Sequence, residues 1–374
     1  MQIKEKEQDL ERRQKVAAER GRAILASSGQ KGKGTLLRLL LLNAVCVALL
    51  CALVFAVSSF AKRAEELPPA VTGSAPETLP ANETAAPGTD APETADPAPE
   101  TSAPEPYPTV FREDPNTADP GASLSSGYCA LVDLSTGKIL AAKNASDRLY
   151  PASMTKVMTL LTASSLIGEE KLKSDSFRMT SAIIDPLVRE NATRAGFLPG
   201  EDVSLMDYMY GAILPSGADA TVALAQYSAG SEAAFAEKMN EKARELGLTG
   251  SHFTNSTGLH DDAHYTTAKD MAVIMSAALA DPICREVLST YTYVTHTKEP
   301  IELTSSALAR MSANKTKFVT VFAGKTGFTT EARNCLVTAA SDVNGKIFIA
   351  VCASAEDRQK IQEDTRLLYD TYCR

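Results

Sequence analysis

The sequence predicts an α/β (α+β) domain in which helices flank a central antiparallel sheet of five strands, with an all-helical subregion beside it. Residues 127–144 contain two apolar runs joined by "STG", a pattern that is typical of a β-hairpin. Three more strands are predicted near the C-terminus, in the runs "FVTVFAG", "NCLVTAAS" and "KIFIAVCAS". Because most helical patterns lie between these two groups of strands, we expect both groups to meet in one sheet.

Six segments of the chain carry apolar residues at helical spacing. These predicted helices cover residues 153–166, 204–214, 219–227, 232–246, 267–280 and 357–372. Together with the strands they predict a folded domain over residues 127–374, which is long enough to bury one large hydrophobic core.

The N-terminal part of the chain has a different composition. Residues 1–63 carry 12 Lys and Arg residues against 5 Asp and Glu residues, and an uncharged apolar run of 23 residues occupies 39–61. Such a run can cross the roughly 30 Å hydrocarbon core of a bilayer. Because the basic residues concentrate before it, we predict a cytoplasmic segment at 1–38, a single transmembrane signal anchor at 39–61 and a domain outside the cell membrane. A signal peptide cleaved after Ala61, which would give a secreted domain, is the alternative.

Residues 62–126 are predicted to form a disordered linker. Between Ala64 and Ser126 lie 13 of the 19 prolines and three copies of "APET", with almost no large apolar side chains. Such a segment cannot bury enough surface to offset its loss of conformational entropy. It also carries 12 Asp and Glu residues against one Arg, so that most of the acidic excess behind the net charge of −8 lies here. Outside the N-terminus, no region of the sequence is basic enough to predict a nucleic-acid partner.

The cysteines predict buried thiols rather than a disulfide framework. Two of the seven, Cys46 and Cys51, lie in the apolar run, which leaves the odd number of five in the predicted domain. Neither a CxxC motif nor a Cys/His metal spacing occurs. Most of the five have apolar neighbours, which favours small buried side chains, with partial disulfide pairing as the alternative.

A serine and a lysine lie three residues apart in the stretch "PASMTKVMTLL", residues 151–161. At this spacing Ser153 and Lys156 share one face of the predicted helix. A serine hydroxyl needs a base to remove its proton, and a lysine serves as that base only where its pKa falls toward neutrality. The apolar residues that follow favour such desolvation. A helix-capping serine followed by a surface lysine shows the same spacing, so this motif alone leaves both interpretations open.

Two further motifs carry polar side chains of the types that an acyl-transfer site needs. "GKTGFTT", residues 324–330, follows a predicted strand and places Lys325, Thr326 and Gly327 along a sheet edge. A peptide could pair with this edge, with the lysine and the threonine placed for a carboxylate and the glycine allowing close approach. "LPSGADA", residues 214–220, joins two predicted helices and contributes Ser216 as a second hydroxyl.

These three motifs resemble the signature set of penicillin-binding proteins and serine β-lactamases. They occur in the same order: first Ser-x-x-Lys, then an element similar to Ser-x-Asn, and last Lys-Thr-Gly. The intervening segments resemble the D-alanyl-D-alanine carboxypeptidases, or low-molecular-mass penicillin-binding proteins, over nearly all of residues 127–372. They include "LVDLSTGKILAAKN", "FAEKMNEKARELGLTGSHFTNSTGLHDDAHYTTAKDMAVI" and "AGKTGFTTEARNCLVTAA". The resemblance implies a β-lactamase/transpeptidase-like fold.

The resemblance also implies a reaction. Ser153 would be the acylated nucleophile, Lys156 its general base and Ser216 a proton relay to the leaving group. The substrate would be a peptidoglycan stem peptide that loses its terminal D-Ala, and β-lactam antibiotics would acylate the same serine. The family requires no metal ion and no organic cofactor.

The same resemblance assigns a substrate-binding set. Lys325 and Thr326 would bind the terminal carboxylate, and Gly327 would allow close approach of the substrate backbone. The backbone N–H groups of Ser153 and Phe328 would form the oxyanion hole. Gly217, in the second motif, completes the set.

One residue departs from the pattern of the family. The second motif usually reads Ser-Gly-Asn, whereas Ser216 and Gly217 are followed here by Ala218. The missing amide removes a hydrogen bond to a charged group, worth roughly 1.5 to 3 kcal/mol, or about 10- to 150-fold in rate. Asp219 or an ordered water could take over its role. Because the nucleophile, the base, the relay and the carboxylate-binding pair all remain, we expect an active enzyme.

Three other interpretations stay open at this point. A zinc carboxypeptidase would need three protein ligands, and His260 and His264, with His252, lie in a segment predicted to be a loop. A serine β-lactamase would need a carboxylate that activates a deacylating water, and no Glu-x-x-Leu-Asn-like element lies between the second motif and Lys-Thr-Gly. A non-catalytic module that binds the cell wall would retain the cleft and lose turnover because of Ala218. The sequence does not indicate the oligomeric state.

Overall fold

A computed structural model of the chain describes Pro108 and residues 110–374. The strands in this part are β1 Tyr128–Asp133, β2 Lys138–Lys143, β3 Ser176–Arg178, β4 Asp202–Ser204, β5 Thr292–Val294, β6 Glu302–Thr304, β7 Val319–Thr329, β8 Arg333–Asp342 and β9 Ile347–Ala355. Five of them form one sheet in the order β2-β1-β9-β8-β7, with every neighbouring pair antiparallel. This confirms the predicted five-stranded antiparallel sheet and the meeting of both groups of strands.

The helices cover both faces of this sheet. They are α1 Thr155–Ile167, α2 Glu169–Ser174, α3 Ser181–Arg189, α4 Leu205–Ile213, α5 Ala218–Ala229, α6 Glu232–Glu245, α7 Ala268–Ala280, α8 Pro282–Ser289, α9 Ser306–Ala313 and α10 Arg358–Tyr372. Helix α1 is buried around most of its circumference, which marks it as the central helix of the helical region.

Alternate residues of the strands supply two hydrophobic cores, because successive side chains of a strand point to opposite faces. Ala130 and Val132 of β1 belong to the larger core, which includes α1 and the helical region. Cys129 and Leu131 belong to the smaller core, which includes Leu368 of α10. The sheet therefore separates α10 from the helices that carry the predicted site.

All six predicted helices are present, whereas four short ones were not predicted. Helices α2, α3, α8 and α9 are short, with 6, 9, 8 and 8 residues, and α3 contains Pro186, a residue that usually ends a helix. The two-stranded sheets β3–β4 and β5–β6 were also missed. Strand β7 was predicted to end at residue 324, but it continues to Thr329, because Gly324 and Gly327 both pair with β8.

The predicted boundary at residues 126 and 127 does not match the observed packing. Arg112 and Ala118 form parallel bridges with β2. Phe111 and Leu124 are buried, with exposed fractions of 1% and 5%. The folded part therefore includes residues 110–126, whose few apolar side chains are enough to hold them against the sheet.

The predicted anchor at 39–61 and most of the predicted linker lie outside the described residues. Among the helices of residues 110–374, none combines the length and the apolar character needed to cross a bilayer.

The prediction of buried thiols is confirmed for the five cysteines of the described chain. Cys129, Cys284, Cys335, Cys352 and Cys373 are all buried and free. Cys129 and Cys352 lie opposite each other on β1 and β9. Burial raises the pKa of the Cys335 thiol to about 12, so this group stays protonated and unreactive at neutral pH.

One buried carboxylate ties the segment before β1 to α10. Asp364, 4% exposed, accepts hydrogen bonds from the backbone N–H of Ser126 at 2.6 Å, from its hydroxyl at 2.6 Å and from the N–H of Ser125 at 3.2 Å. We expect Asp364→Ala to lower the free energy of unfolding by about 2 to 3 kcal/mol, because buried donors lose a charged acceptor.

Chemical denaturation of the full-length chain measures this loss. The half-buried surface variant Glu363→Ala, one residue away, is the matched control and should change stability by less than about 0.5 kcal/mol. Equal losses in the two variants would show that Asp364 does not hold the segment.

Candidate active site

The turn that carries Ser153 has an unusual backbone held between two glycines. Ala152 lies in the left-handed region with φ of 46°, just before α1. A Cβ on Gly258 would lie 2.0 Å from the carbonyl oxygen of Ala152, and one on Gly327 would lie 2.8 Å from that of Pro151. These approaches require glycine, because no real Cβ atom tolerates contacts that short. The turn that carries Ser153 is thus fixed between a loop and strand β7.

Lys156 lies one helical turn after Ser153 and points at it. Its Nζ donates to Ser153 Oγ at 2.9 Å and to the carbonyl oxygen of Thr257 at 2.5 Å. The side chain is 2% exposed. Burial lowers the pKa of Lys156 to about 7, against the opposing charges of Asp219 and Glu232. A neutral amine is therefore available beside the serine hydroxyl near neutral pH.

A second buried lysine repeats this arrangement. Lys325 Nζ donates to Ser216 Oγ at 2.8 Å and to the carbonyl oxygen of Thr326 at 2.9 Å. Lys325 is fully buried, and its pKa lies well below the ordinary value because of burial and of the nearby charges of Lys156 and Arg310. Ser216 is also in the left-handed region, with φ of 71°. Two lysine–serine pairs therefore share one site.

The residues that follow Lys325 line the edge of β7 next to Ser153. Thr326 Oγ1 is hydrogen bonded to Ser306 Oγ at 2.9 Å. A Cβ on Gly327 would be 3.2 Å from the backbone nitrogen of Ser153, which places the strand directly against that amide. Phe328 is 64% exposed. The structure thus brings the predicted residues of β7 together with Ser153.

The second motif begins α5 and is packed inside the protein. A Cβ on Gly217 would lie 2.6 Å from Asp219 Oδ1 and 2.7 Å from Ala195. The absence of a side chain at Gly217 therefore allows close packing against the loop that contains Ala195. Ala218 is 2% exposed, and its backbone N–H donates to the carbonyl oxygen of Thr193. A methyl group therefore occupies the position where an amide was expected.

Asp219 is engaged elsewhere. Its buried carboxylate accepts from the N–H groups of Ala195 at 2.7 Å, Gly196 at 3.1 Å and Ala220 at 3.0 Å. These bonds anchor the loop before β4, and its charge acts on Lys156 only through space. The suggestion that Asp219 replaces the missing amide as a hydrogen-bond partner of the lysine is therefore wrong.

The histidines considered as zinc ligands have other partners. His264 is buried, its Nδ1 accepts from the N–H of Thr254 at 3.1 Å and its Nε2 lies 2.8 Å from Thr155 Oγ1. Burial lowers the pKa of His264 to about 4, so the ring is neutral. Over residues 110–374, no group of three His, Cys, Asp or Glu residues is arranged to hold a metal ion.

The loop around Thr257 was not predicted from the sequence to be part of the site, although it contacts Lys156. Thr257 supplies the carbonyl acceptor, and Asn255 holds the loop with its side chain. The available signal was the run "NSTG", since Asn followed by Gly three residues later is typical of a tight turn. Ser306, the partner of Thr326, has no comparable signal.

The chain has detectable similarity to a known family over most of its folded part. Residues 114–356 match the family described as D-alanyl-D-alanine carboxypeptidase. The curated D-alanyl-D-alanine carboxypeptidase DacF of Bacillus subtilis is 33% identical over 247 residues, which are 64% of this chain and 60% of that protein. The corresponding enzyme of Streptomyces sp. strain K15 is 31% identical over 242 residues, 62% of this chain and 82% of that protein. The chain therefore spans less than two thirds of the length of DacF.

Solved structures share the fold. The DD-transpeptidase of Streptomyces K15 superposes with a TM-score of 0.59 at 26% identity, covering 68% of this chain and 99% of that one. Penicillin-binding protein 5 of Haemophilus influenzae gives a TM-score of 0.58 at 27% identity, covering 66% and 70%. The sheet, the motif order and these similarities agree, and the match covers more than half of the sequence. This chain belongs to the D-alanyl-D-alanine carboxypeptidase family.

Proposed function

We propose that the protein is a serine-type D-alanyl-D-alanine carboxypeptidase that removes the terminal D-Ala from peptidoglycan stem peptides. The observation that supports this most strongly is the 2.9 Å contact between Ser153 Oγ and Lys156 Nζ, whose side chain is 2% exposed. A lysine whose pKa is about 7 can accept a proton at neutral pH, which an exposed lysine cannot do.

Acylation begins with proton transfer from Ser153 Oγ to Lys156 Nζ. The oxygen attacks the carbonyl carbon of the penultimate D-Ala, and the negative charge that develops on the carbonyl oxygen is stabilised by the N–H groups of Ser153 and Phe328. The contact between Gly327 and the Ser153 turn supports this pairing of amides from two elements. Collapse of the intermediate breaks the peptide bond and leaves the acyl group on Ser153.

The second lysine–serine pair serves the leaving group. Ser216 protonates the departing amine of D-Ala and in turn receives the proton that Lys156 took from Ser153, so that Lys156 is neutral again. Lys325 holds Ser216 in place at 2.8 Å. Lys325 and the Thr326 hydroxyl bind the terminal carboxylate of the substrate. An incoming carboxylate favours the protonated form of Lys325, which opposes the effect of burial. Water then hydrolyses the acyl-enzyme.

Ala218 is expected to slow the reaction without stopping it. In this chain the base lysine has two hydrogen-bond acceptors, Ser153 Oγ and the carbonyl oxygen of Thr257, so its orientation does not depend on an amide at position 218. This arrangement favours an active enzyme over a non-catalytic module that binds the cell wall.

We infer the placement of the domain from the composition of the N-terminal sequence. The apolar run at 39–61 anchors the protein in the cell membrane with the N-terminus in the cytoplasm, and the Pro-rich segment carries the catalytic domain outside. There it meets its partners, the stem peptides of the cell wall, and the β-lactam antibiotics that acylate the same serine.

We expect benzylpenicillin to form a stoichiometric covalent adduct with the full-length protein, and Ser153→Ala to form none. Intact-mass spectrometry of the chain purified in detergent measures both. Slow loss of the adduct indicates a penicillin-binding protein, whereas fast turnover of the antibiotic would indicate a β-lactamase instead. A folded wild-type protein that forms no adduct and leaves the antibiotic intact would contradict the proposal and favour the non-catalytic module.

The acylation rate should depend on pH with the sign set by Lys156. The active form is the neutral amine, so the rate should be constant above about pH 8 and fall about tenfold per pH unit well below pH 7. This fall in rate is the acidic limb of the pH profile. Stopped-flow measurement with a chromogenic β-lactam checks it.

Glu232→Gln is the informative variant for this limb. It removes a charge that favours protonated Lys156 and retains an oxygen that can accept from Ser256, so the limb should move to lower pH. A rate that does not change between about pH 5 and about pH 9 would contradict the role of Lys156 as the base.

A further inference from the structure

The loop at residues 254–259 is held rigidly by one side chain, that of Asn255. Its Oδ1 accepts three hydrogen bonds, from the N–H of Thr257 at 3.1 Å, from the hydroxyl of Thr257 at 2.9 Å and from the N–H of Gly258 at 2.7 Å. Its Nδ2 donates to the carbonyl oxygen of Leu259 at 3.0 Å. One amide group therefore fixes the backbone on both sides of Thr257.

This backbone is the part of the loop that touches the base. The carbonyl oxygen of Thr257 lies 2.5 Å from Lys156 Nζ. Thr257 is 2% exposed, so water does not reach this carbonyl in place of the lysine. The direction of the carbonyl, and with it the position of the amine opposite Ser153, depends on how Asn255 holds the turn.

The same turn supports the nucleophile. Gly258, with φ of 77°, packs so closely that a Cβ would lie 2.0 Å from the carbonyl oxygen of Ala152 and 3.0 Å from the nitrogen of Ser153. The N–H of Gly258 is one of the three groups bound by Asn255. A rotation of this turn would therefore move the base and the Ser153 turn together.

We propose that Asn255 is a positioning residue for acylation, which holds the Thr257 carbonyl on Lys156 and the Gly258 backbone against the Ser153 turn. This inference rests on the proposed function. It assigns to a loop amide in the chain the role of orienting the base, at a site where position 218 carries only a methyl group. Asn255 itself contacts neither the substrate nor the reacting atoms.

The charges that face Lys156 determine how substitutions at Asn255 act on pH dependence. They come from Asp219 of α5, Glu232 of α6 and Lys325 of β7, with the neutral His264 close by. Asn255→Asp retains an oxygen for the three donors and adds a negative charge, which favours protonated Lys156. Asn255→Ala removes the acceptor altogether.

Two readouts of acylation by benzylpenicillin separate these effects in the full-length protein. The rate constant on the high-pH plateau reports geometry, because Lys156 is neutral there. The midpoint of the acidic limb reports the pKa of the base. We expect Asn255→Ala to lower the plateau by at least about tenfold, and Asn255→Asp to keep it within about threefold while the limb moves to higher pH.

Asn240→Ala is the matched control. Asn240 is a buried side-chain amide of α6. It accepts from the backbone N–H of Phe253 at 2.9 Å and donates to the carbonyl oxygen of Phe253 at 2.8 Å, and Phe253 lies two residues before Asn255. It fixes the start of the same loop without binding the Thr257 turn. Its loss should destabilise the protein in thermal unfolding yet leave the plateau and the limb within about threefold of the wild type.

The outcomes separate the two hypotheses. A wild type that is not acylated contradicts the proposed function. If the wild type is acylated, a folded Asn255→Ala with an unchanged plateau overturns the positioning role, as does an Asn240→Ala that loses as much rate. If Asn255→Ala does not fold, Asn255→Asp decides: a retained plateau with a raised limb supports the role, and a plateau that falls by tenfold or more overturns it.

Discussion

The burial of two lysine amines side by side is the constraint on which the site depends. Lys156 and Lys325 are both almost inaccessible to water, and neither forms an ion pair within residues 110–374. Each instead donates to a serine hydroxyl, that of Ser153 or Ser216. Without a carboxylate partner the protonated forms are disfavoured, so both pKa values fall. Desolvation thus allows Lys156 to lose its proton near neutral pH.

The backbone around these amines is strained in the same places. Ala152, the residue before Ser153, and Ser216 both have positive φ, which costs about 1 to 3 kcal/mol at a residue other than glycine. The packing of Gly258 and Gly327 against the turn that carries Ser153 keeps it in this conformation. The stability that maintains this strain comes from elsewhere, from the two cores on either side of the sheet.

What could be predicted from the sequence was mostly local. Ser153 and Lys156 are three residues apart on one helical turn, so their spacing predicts that they lie side by side. Lys325 and Thr326 are consecutive in one strand, which places them together at the same part of the sheet. The antiparallel sheet followed from apolar runs at both ends of the domain. The packing of residues 110–126 could not be predicted, because it depends on a few apolar contacts within a Pro-rich stretch. The acceptor on Thr257 is a backbone carbonyl about 100 residues from its partner in sequence, and no side-chain pattern predicts such a contact.

The property that matters most is that Lys156 loses its charge near neutral pH in the resting protein. NMR of the full-length chain with ¹³C- and ¹⁵N-labelled lysine tests it directly, with the Lys156→Arg variant used to assign the resonance. The structure predicts a lysine signal that titrates with a midpoint near 7, far below the exposed lysines, and that is absent from the variant. A second low signal is expected from buried Lys325, whose pKa is also lowered, and it should remain in the variant. If the Lys156 signal instead titrates above about pH 10 like an exposed lysine, the base is charged at neutral pH and the account is contradicted.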